Sequence, residues 1–175
     1  MLFPHTESRR VVLRPAGDKN VHEIYEMMFR LGSPGLPMLD EFANDFGAGF
    51  SACFLIQCKD VGETVGFSTL GELALAGHIR AEVNLLPGYD EQTKLEADVL
   101  TTNFAFAMWR TRKVHFQVTD AMAGPSFGND PDVAREEAVL PEYKYLYGKL
   151  WDLHVIAVDR EKWDTYGVNL LKQIL

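Results

Sequence analysis

The sequence predicts an α/β (α+β) fold built on a mixed, mostly antiparallel central sheet with helices on both faces. Three observations carry that expectation. Two β-rich runs, Ala52–Cys58 and Thr64–Leu70, flank the turn Asp60–Glu63 and read as an antiparallel hairpin. The longest helical pattern, Glu91–Trp109, sits between two further strand candidates, as a βαβ unit would place it. Helical patterns also lie near both ends of the chain, so a sheet between them would be covered on two sides.

The elements follow in order. Arg10–Arg14 (RVVLR) is a short β-branched run stopped by Pro15. Asp18 offers an N-cap for a helix over Lys19–Leu31, whose Val21, Ile24, Met28 and Leu31 keep the helical period up to the stop signal Gly32. Ser33–Pro37 (SPGLP) is turn-rich, and Met38–Gly49 reads as a second, shorter helix through Leu39, Phe42 and Phe46. After the hairpin, Ile79–Leu86 (IRAEVNLL) is a strand closed by Pro87-Gly88. Leu95, Val99, Leu100, Phe104 and Met108 give the long helix an apolar face. Val114–Thr119 alternates as a strand, Asp120–Asp132 is loop-like, and Val133–Tyr147 is mixed. Leu153–Val158 is the last strand, and Asp159–Leu175 a closing helix weakened by Gly167.

A chain of 175 residues suits one domain over residues 1–175, with a core large enough to need no staple. No repeat or low-complexity tract argues for a second domain. The net charge of −8 argues against nucleic acid and anionic membranes as general partners. Met1–Arg10 lacks the apolar core of a signal peptide, and no run approaches the roughly 20 apolar residues that cross a bilayer, so cytoplasm is the expected location. Cys53 and Cys58 point to opposite faces of one strand, which disfavours a mutual disulfide. Both are expected to be packing residues. No His, Cys or carboxylate cluster has metal-ligand spacing, so no metal is expected.

The order of elements resembles the GNAT superfamily of acyl-CoA-dependent N-acetyltransferases, in particular the branch that includes ribosomal-protein N-terminal acetyltransferases. The resemblance runs from Arg9 to Trp163. It rests on the opening RRVVLRPAGDKNVHEIYE, on VGF at Val65–Phe67, on AEVNLLPGY at Ala81–Tyr89, on VHFQVTD at Val114–Asp120, and on EEAVLPEY at Glu136–Tyr143 followed by Asp152 and Trp163. It implies direct acyl transfer from acetyl-CoA to an amine in an opening between the fourth and fifth strands. There the thioester carbonyl would accept a main-chain N–H within Val83–Leu86, with positioning and oxyanion stabilisation supplying much of the rate.

Two stretches depart from the family pattern. The Gly-rich loop that turns amides onto the cofactor's diphosphate is replaced by Glu91-Gln92-Thr93-Lys94-Leu95-Glu96, with Glu91 where arginine is expected and Lys94 where glycine is. Beyond the fifth strand, Ala123-Gly124-Pro125-Ser126 keeps the family's serine but not its asparagine.

The cofactor-binding positions implied by the resemblance are Val83, Leu85, Thr93, Lys94, Leu95 and Ser126. Glu82, a carboxylate on the fourth strand, is the candidate base, set against a plain solvated glutamate. His78 just before that strand is a second candidate base. His115 and His154 read as packing histidines on strands. Tyr143, Tyr145 and Tyr147 alternate and would share one face if extended; a tyrosine is the family's usual acid, and Tyr143 is the position carried forward. Asn84, polar among apolar neighbours, either finds hydrogen-bond partners or faces substrate. Asp152 is expected to order a turn before the last strand.

Three functions are consistent with these residues. The first is an acyl-CoA-dependent N-acetyltransferase acting on an amine of a small molecule or peptide, with a homodimer left open. The second is an enzyme of the same fold that has lost acyl-CoA and carries out a cyclisation, hydrolysis or rearrangement of a biosynthetic intermediate. The third is a non-catalytic binding protein.

Overall fold

The computed structural model describes residues 2–33 and 36–175, so part of the turn-rich stretch at Ser33–Pro37 lies outside the described residues. One seven-stranded sheet runs in the order β1-β2-β3-β4-β5-β7-β6. Its strands are β1 (Val11–Pro15), β2 (Phe50–Cys58), β3 (Glu63–Gly71), β4 (His78–Leu85), β5 (Lys113–Val118), β6 (Arg135–Leu146) and β7 (Lys149–Asp159). Every neighbouring pair is antiparallel except β4 and β5. The sheet is therefore mixed and mostly antiparallel, as the sequence predicts.

The helices α1 (Val21–Arg30) and α2 (Leu39–Asp45) lie on one face. Ile24 of α1 packs with Cys53 and Leu55 of β2 and with Phe42 and Phe46, while Met27 packs with Phe67 and Leu86. The helix α3 (Glu91–Met108) lies on the other face and is buried almost all round, which is why its apolar residues form no narrow stripe. It is joined there by a C-terminal helix made of α4 (Arg160–Lys162), a π turn (Trp163–Gly167) and α5 (Val168–Ile174). Gly167 sits against the Trp163 ring, where a Cβ would lie 2.3 Å from a ring carbon, so the glycine is a packing requirement and not a helix end. Cys53 and Cys58 are free thiols in separate core clusters, on opposite sides of β2.

Four readings need correction. The mixed segment Val133–Tyr147 contains a long strand, β6, hairpinned to β7 through a two-residue turn in which Tyr147 and Gly148 both have positive φ. Most of β6 is exposed on both faces, so it carries no hydrophobic alternation to read. Asp152 lies inside β7 and accepts the Glu142 N–H (2.8 Å) across a bulge, so it does not precede the strand. The first helix starts at Val21 after Asn20, and Asp18 opens a short 3-10 turn. His78 is the first residue of β4 and not a residue of the preceding loop.

One glycine fixes how β3 and β4 meet. A Cβ on Gly66 would lie 2.0 Å from the Asn84 carbonyl oxygen, a distance no side-chain movement relieves. Gly17 has nothing within 4 Å of its Cβ position and no positive φ. Gly66→Ala is therefore expected to cost about 1–3 kcal/mol by overpacking, with Gly17→Ala near neutral, both measured by urea denaturation.

Candidate active site

Strands β4 and β5 pair only where His78–Arg80 meets Lys113–His115, and then they separate. On the other side, β4 stays paired with β3 through Gly66↔Leu85. The Leu86 N–H donates to the Val65 carbonyl (2.8 Å). Bonded and non-bonded pairs alternate in an antiparallel ladder, so Asn84 and Glu82 are also bonded to β3. The main-chain groups of Val83 and Leu85 consequently point away from β3, into the gap that β5 leaves. A cleft of about 630 Å³ lies there, within the range of small-molecule sites.

The β4 side chains alternate across the sheet. Ile79, Ala81 and Val83 join the core under α3, while Arg80, Glu82 and Asn84 take the opposite face. Glu82 and Asn84 line the cleft with Val83 and Leu85. Glu82 is half-buried and has no hydrogen bond or ion pair among the described residues. Lys94 and Ser126 also border the cleft, whereas Thr93 and Leu95 do not. Thr93 is buried at the helix start, and Leu95 packs against the main core. His78 lies outside the cleft lining, its ring 5.4 Å from that of His115. Burial, and then the nearby His78, lower the His115 pKa. His154 pairs with Glu136 (2.7 Å), and this hydrogen bond raises its pKa. Of the three tyrosines, Tyr147 lines the cleft; Tyr143 and Tyr145 lie further along the exposed β6 arm.

Beneath the cleft is a buried carboxylate. Asp98 is wholly buried, takes both oxygens to Lys94 Nζ (2.5 and 2.7 Å), and accepts the Ser126 N–H (2.7 Å) and hydroxyl (2.9 Å). Lys94 also donates to the Gly124 carbonyl (3.3 Å). Burial pushes the Asp98 pKa up, against the Lys94 charge and the Ser126 hydrogen bonds that hold it down. The polar groups of Lys94 and Ser126 are thus engaged in fastening the Ala121–Ser126 loop to α3. The i,i+4 spacing of Lys94 and Asp98 was visible in the sequence; that Ser126 closes the cluster was not.

The start of α3 carries its own anion. Asp90 accepts the Thr93 N–H (2.8 Å) and hydroxyl (2.7 Å) as an N-cap and pairs with both of its oxygens to Arg10 (3.1 and 2.9 Å). The Thr93 N–H, the Thr93 hydroxyl and Arg10 hold the Asp90 carboxyl down at about 2. Glu91 is exposed beside it at the cleft rim. Among the described residues no group of three or more His, Cys, Asp or Glu could hold a metal ion.

The fold is that of solved GNAT acetyltransferases. A GCN5-related N-acetyltransferase from Brucella melitensis superposes with a TM-score of 0.74 at 16% identity, covering 97% of this chain and 85% of its own. A spermidine N-acetyltransferase from Vibrio cholerae, solved in complex with CoA and spermine, gives 0.69 at 14% identity, covering 88% and 98%. A GNAT-family acetyltransferase from Bacillus anthracis gives 0.67 at 13% identity, covering 89% and 98%. No protein-family model matches the sequence, and no curated protein matches it either. No described helix is long and apolar enough to cross a membrane.

Two outcomes are expected. Asp98→Ala strands the largely buried Lys94 ammonium and should cost about 3–5 kcal/mol in chemical denaturation. The Asp90 carboxyl is depressed from roughly 3.9 in the unfolded chain to about 2 in the fold. Its contribution is complete above about pH 4 and is lost as pH falls through 2. Asp90→Ala should therefore lower Tm at pH 7, with the gap to the parent protein narrowing between about pH 4 and pH 2.

Proposed function

We propose that the protein is an N-acyltransferase that takes an acyl thioester along β4 and passes the acyl group to an amine held at Glu82. The observation that carries this reading is the unpaired main chain of Val83 and Leu85 beside a carboxylate without a partner, in the gap between β4 and β5. The thioester supplies an acyl carbon activated toward an amine. Glu82 takes the proton that the amine nitrogen gives up, and the Val83 or Leu85 N–H donates to the acyl oxygen as charge builds on it. Tyr147, which lines the cleft, is better placed than Tyr143 to protonate the departing sulfur. His78 has no role in this reading. The acceptor is a small-molecule amine, and the polyamine bound by the Vibrio protein is not carried over.

The thioester end of acetyl-CoA fits the groups present; the diphosphate end fits less well. A diphosphate at the start of α3 would meet Asp90 on the Thr93 amide and Glu91 next to it, with Lys94 already committed to Asp98. That observation favours a second reading, an enzyme of this fold acting without acyl-CoA.

Calorimetric titration with acetyl-CoA and with S-acetylpantetheine, which lacks the diphosphate, separates the two. Binding of either donor together with CoA or pantetheine release in the presence of amines supports acyl transfer. Comparable affinity for the two donors means that the helix terminus contributes little. No heat with either donor at high micromolar protein rules out thioester use. Glu82→Gln is expected to lower kcat by about 10²–10⁴, with donor affinity nearly unchanged.

A further inference from the structure

A second, smaller cavity of about 130 Å³ adjoins the main cleft between β4, β5 and the β6 arm. It is lined by Arg80 and Glu82 of β4, Gln117 and Thr119 at the end of β5, and Lys144 of the β6 arm. Glu82, Met122 and Lys144 line both cavities, so the two meet at these three residues. The smaller one is about a fifth the size of the main cleft. It suits a compact polar head group and not a long chain.

Among the lining residues Glu82 is the carboxylate and Arg80 and Lys144 are the cations. Glu72 already neutralises Arg80, so Lys144 is the cation there with no carboxylate partner among the described residues. Arg80 pairs with Glu72 (2.8 Å) through one guanidinium nitrogen and keeps further N–H donors. Lys144 has no ion pair or hydrogen bond among the described residues. A molecule bearing only ammonium groups would put its second charge beside the unpaired Lys144 ammonium. A molecule with an ammonium next to an anion satisfies all three.

We infer that the acceptor is an amino carboxylate: its amine sits at Glu82, facing the donor cleft, and its carboxylate is held by Lys144 and Arg80. This rests on the acyltransferase reading above and names the substrate class of that same site. The amine is positioned at the shared wall of the two cavities, where its nitrogen attacks the acyl carbon entering from the larger one. The new N–C bond forms as the C–S bond breaks. The amine's proton passes to Glu82, and the sulfur leaves with the bonding pair. Discrimination comes mainly from Lys144, because a neutral analogue gives its ammonium no anion to pair with, while Arg80 keeps Glu72.

The test compares the common α-amino acids with their carboxamides and with spermine, using acetyl-CoA or S-acetylpantetheine as donor and mass spectrometry of the N-acetyl products. The carboxamide amine is less protonated than that of the acid, so intrinsic reactivity favours the carboxamide. The expected result is a kcat/KM for the preferred acid about tenfold to a hundredfold above that of its carboxamide. That ratio should fall toward one in Lys144→Met and be retained in Lys144→Arg. Lys144 is exposed on the arm, so neither substitution disturbs the core. Equal or better use of carboxamides or spermine overturns the amino carboxylate assignment and leaves acyl transfer standing. Absence of transfer to every amine overturns the acyltransferase reading itself. Direct titration of the amino acids without donor then decides the cavity: heat with an acid and none with its carboxamide upholds the zwitterion site, and no heat with any acid removes it.

Discussion

Asp98 fastens one wall of the cleft, the loop after β5, to α3. It is a carboxylate with no exposed surface, and it stays ionisable inside the protein only because four donor contacts converge on it from Lys94 and Ser126. Those contacts fix the chain leaving β5 against the first turns of α3. The two parallel strands have parted before that point, after three residue pairs ending at Arg80 and His115, and β5 runs on to Val118 beside β7. The Asp98 contacts hold the chain beyond β5 as a wall of the gap in which the main chain of Val83 and Leu85 lies free. A buried ion pair is a poor source of net stability, but it is well suited to holding a loop in one place.

A second buried carboxylate acts at the other end of the same helix turn. Glu96 accepts from the Ser8 hydroxyl (2.6 Å), the Arg10 N–H (3.0 Å) and Gln92 (3.1 Å), and so ties the N-terminal segment to α3. Arg10 then reaches Asp60 and Asp90. The segment before β1, the β2–β3 turn and the start of α3 thus form one polar network. Asp90 is the member of that network that caps the helix. The charge at the loop between β4 and α3 is therefore part of the architecture and not an isolated substitution.

Much of the fold was legible in the sequence, because it is written in hydrophobic periods. β4 and β5 bury alternating residues, β2 and β3 are continuous runs buried on both faces, α3 is a long helical pattern, and their order suggests a sheet with helices on both faces. β6 was not legible, because a strand exposed on both sides has no such period and Pro141 interrupts it. The candidate site divides the same way. Glu82, Asn84, Val83 and Leu85 follow from their place on β4. Arg80, Gln117 and Lys144 converge only because β4, β5 and the β6 arm come together in space, which no local spacing encodes. Asp90 and Lys94 could be noted as unusual, but their roles as cap and loop fastener needed coordinates.

The π turn at the C-terminus has a practical consequence. It seats Trp163 in the core with no exposed surface, beside Phe106 and Phe127, while Trp109 and Trp151 keep partial contact with solvent. The indole of Trp163 is thus an intrinsic fluorophore in an apolar cage where α3, the loop after β5 and the last helix meet. Its emission colour reports whether those three parts are assembled, with no label attached.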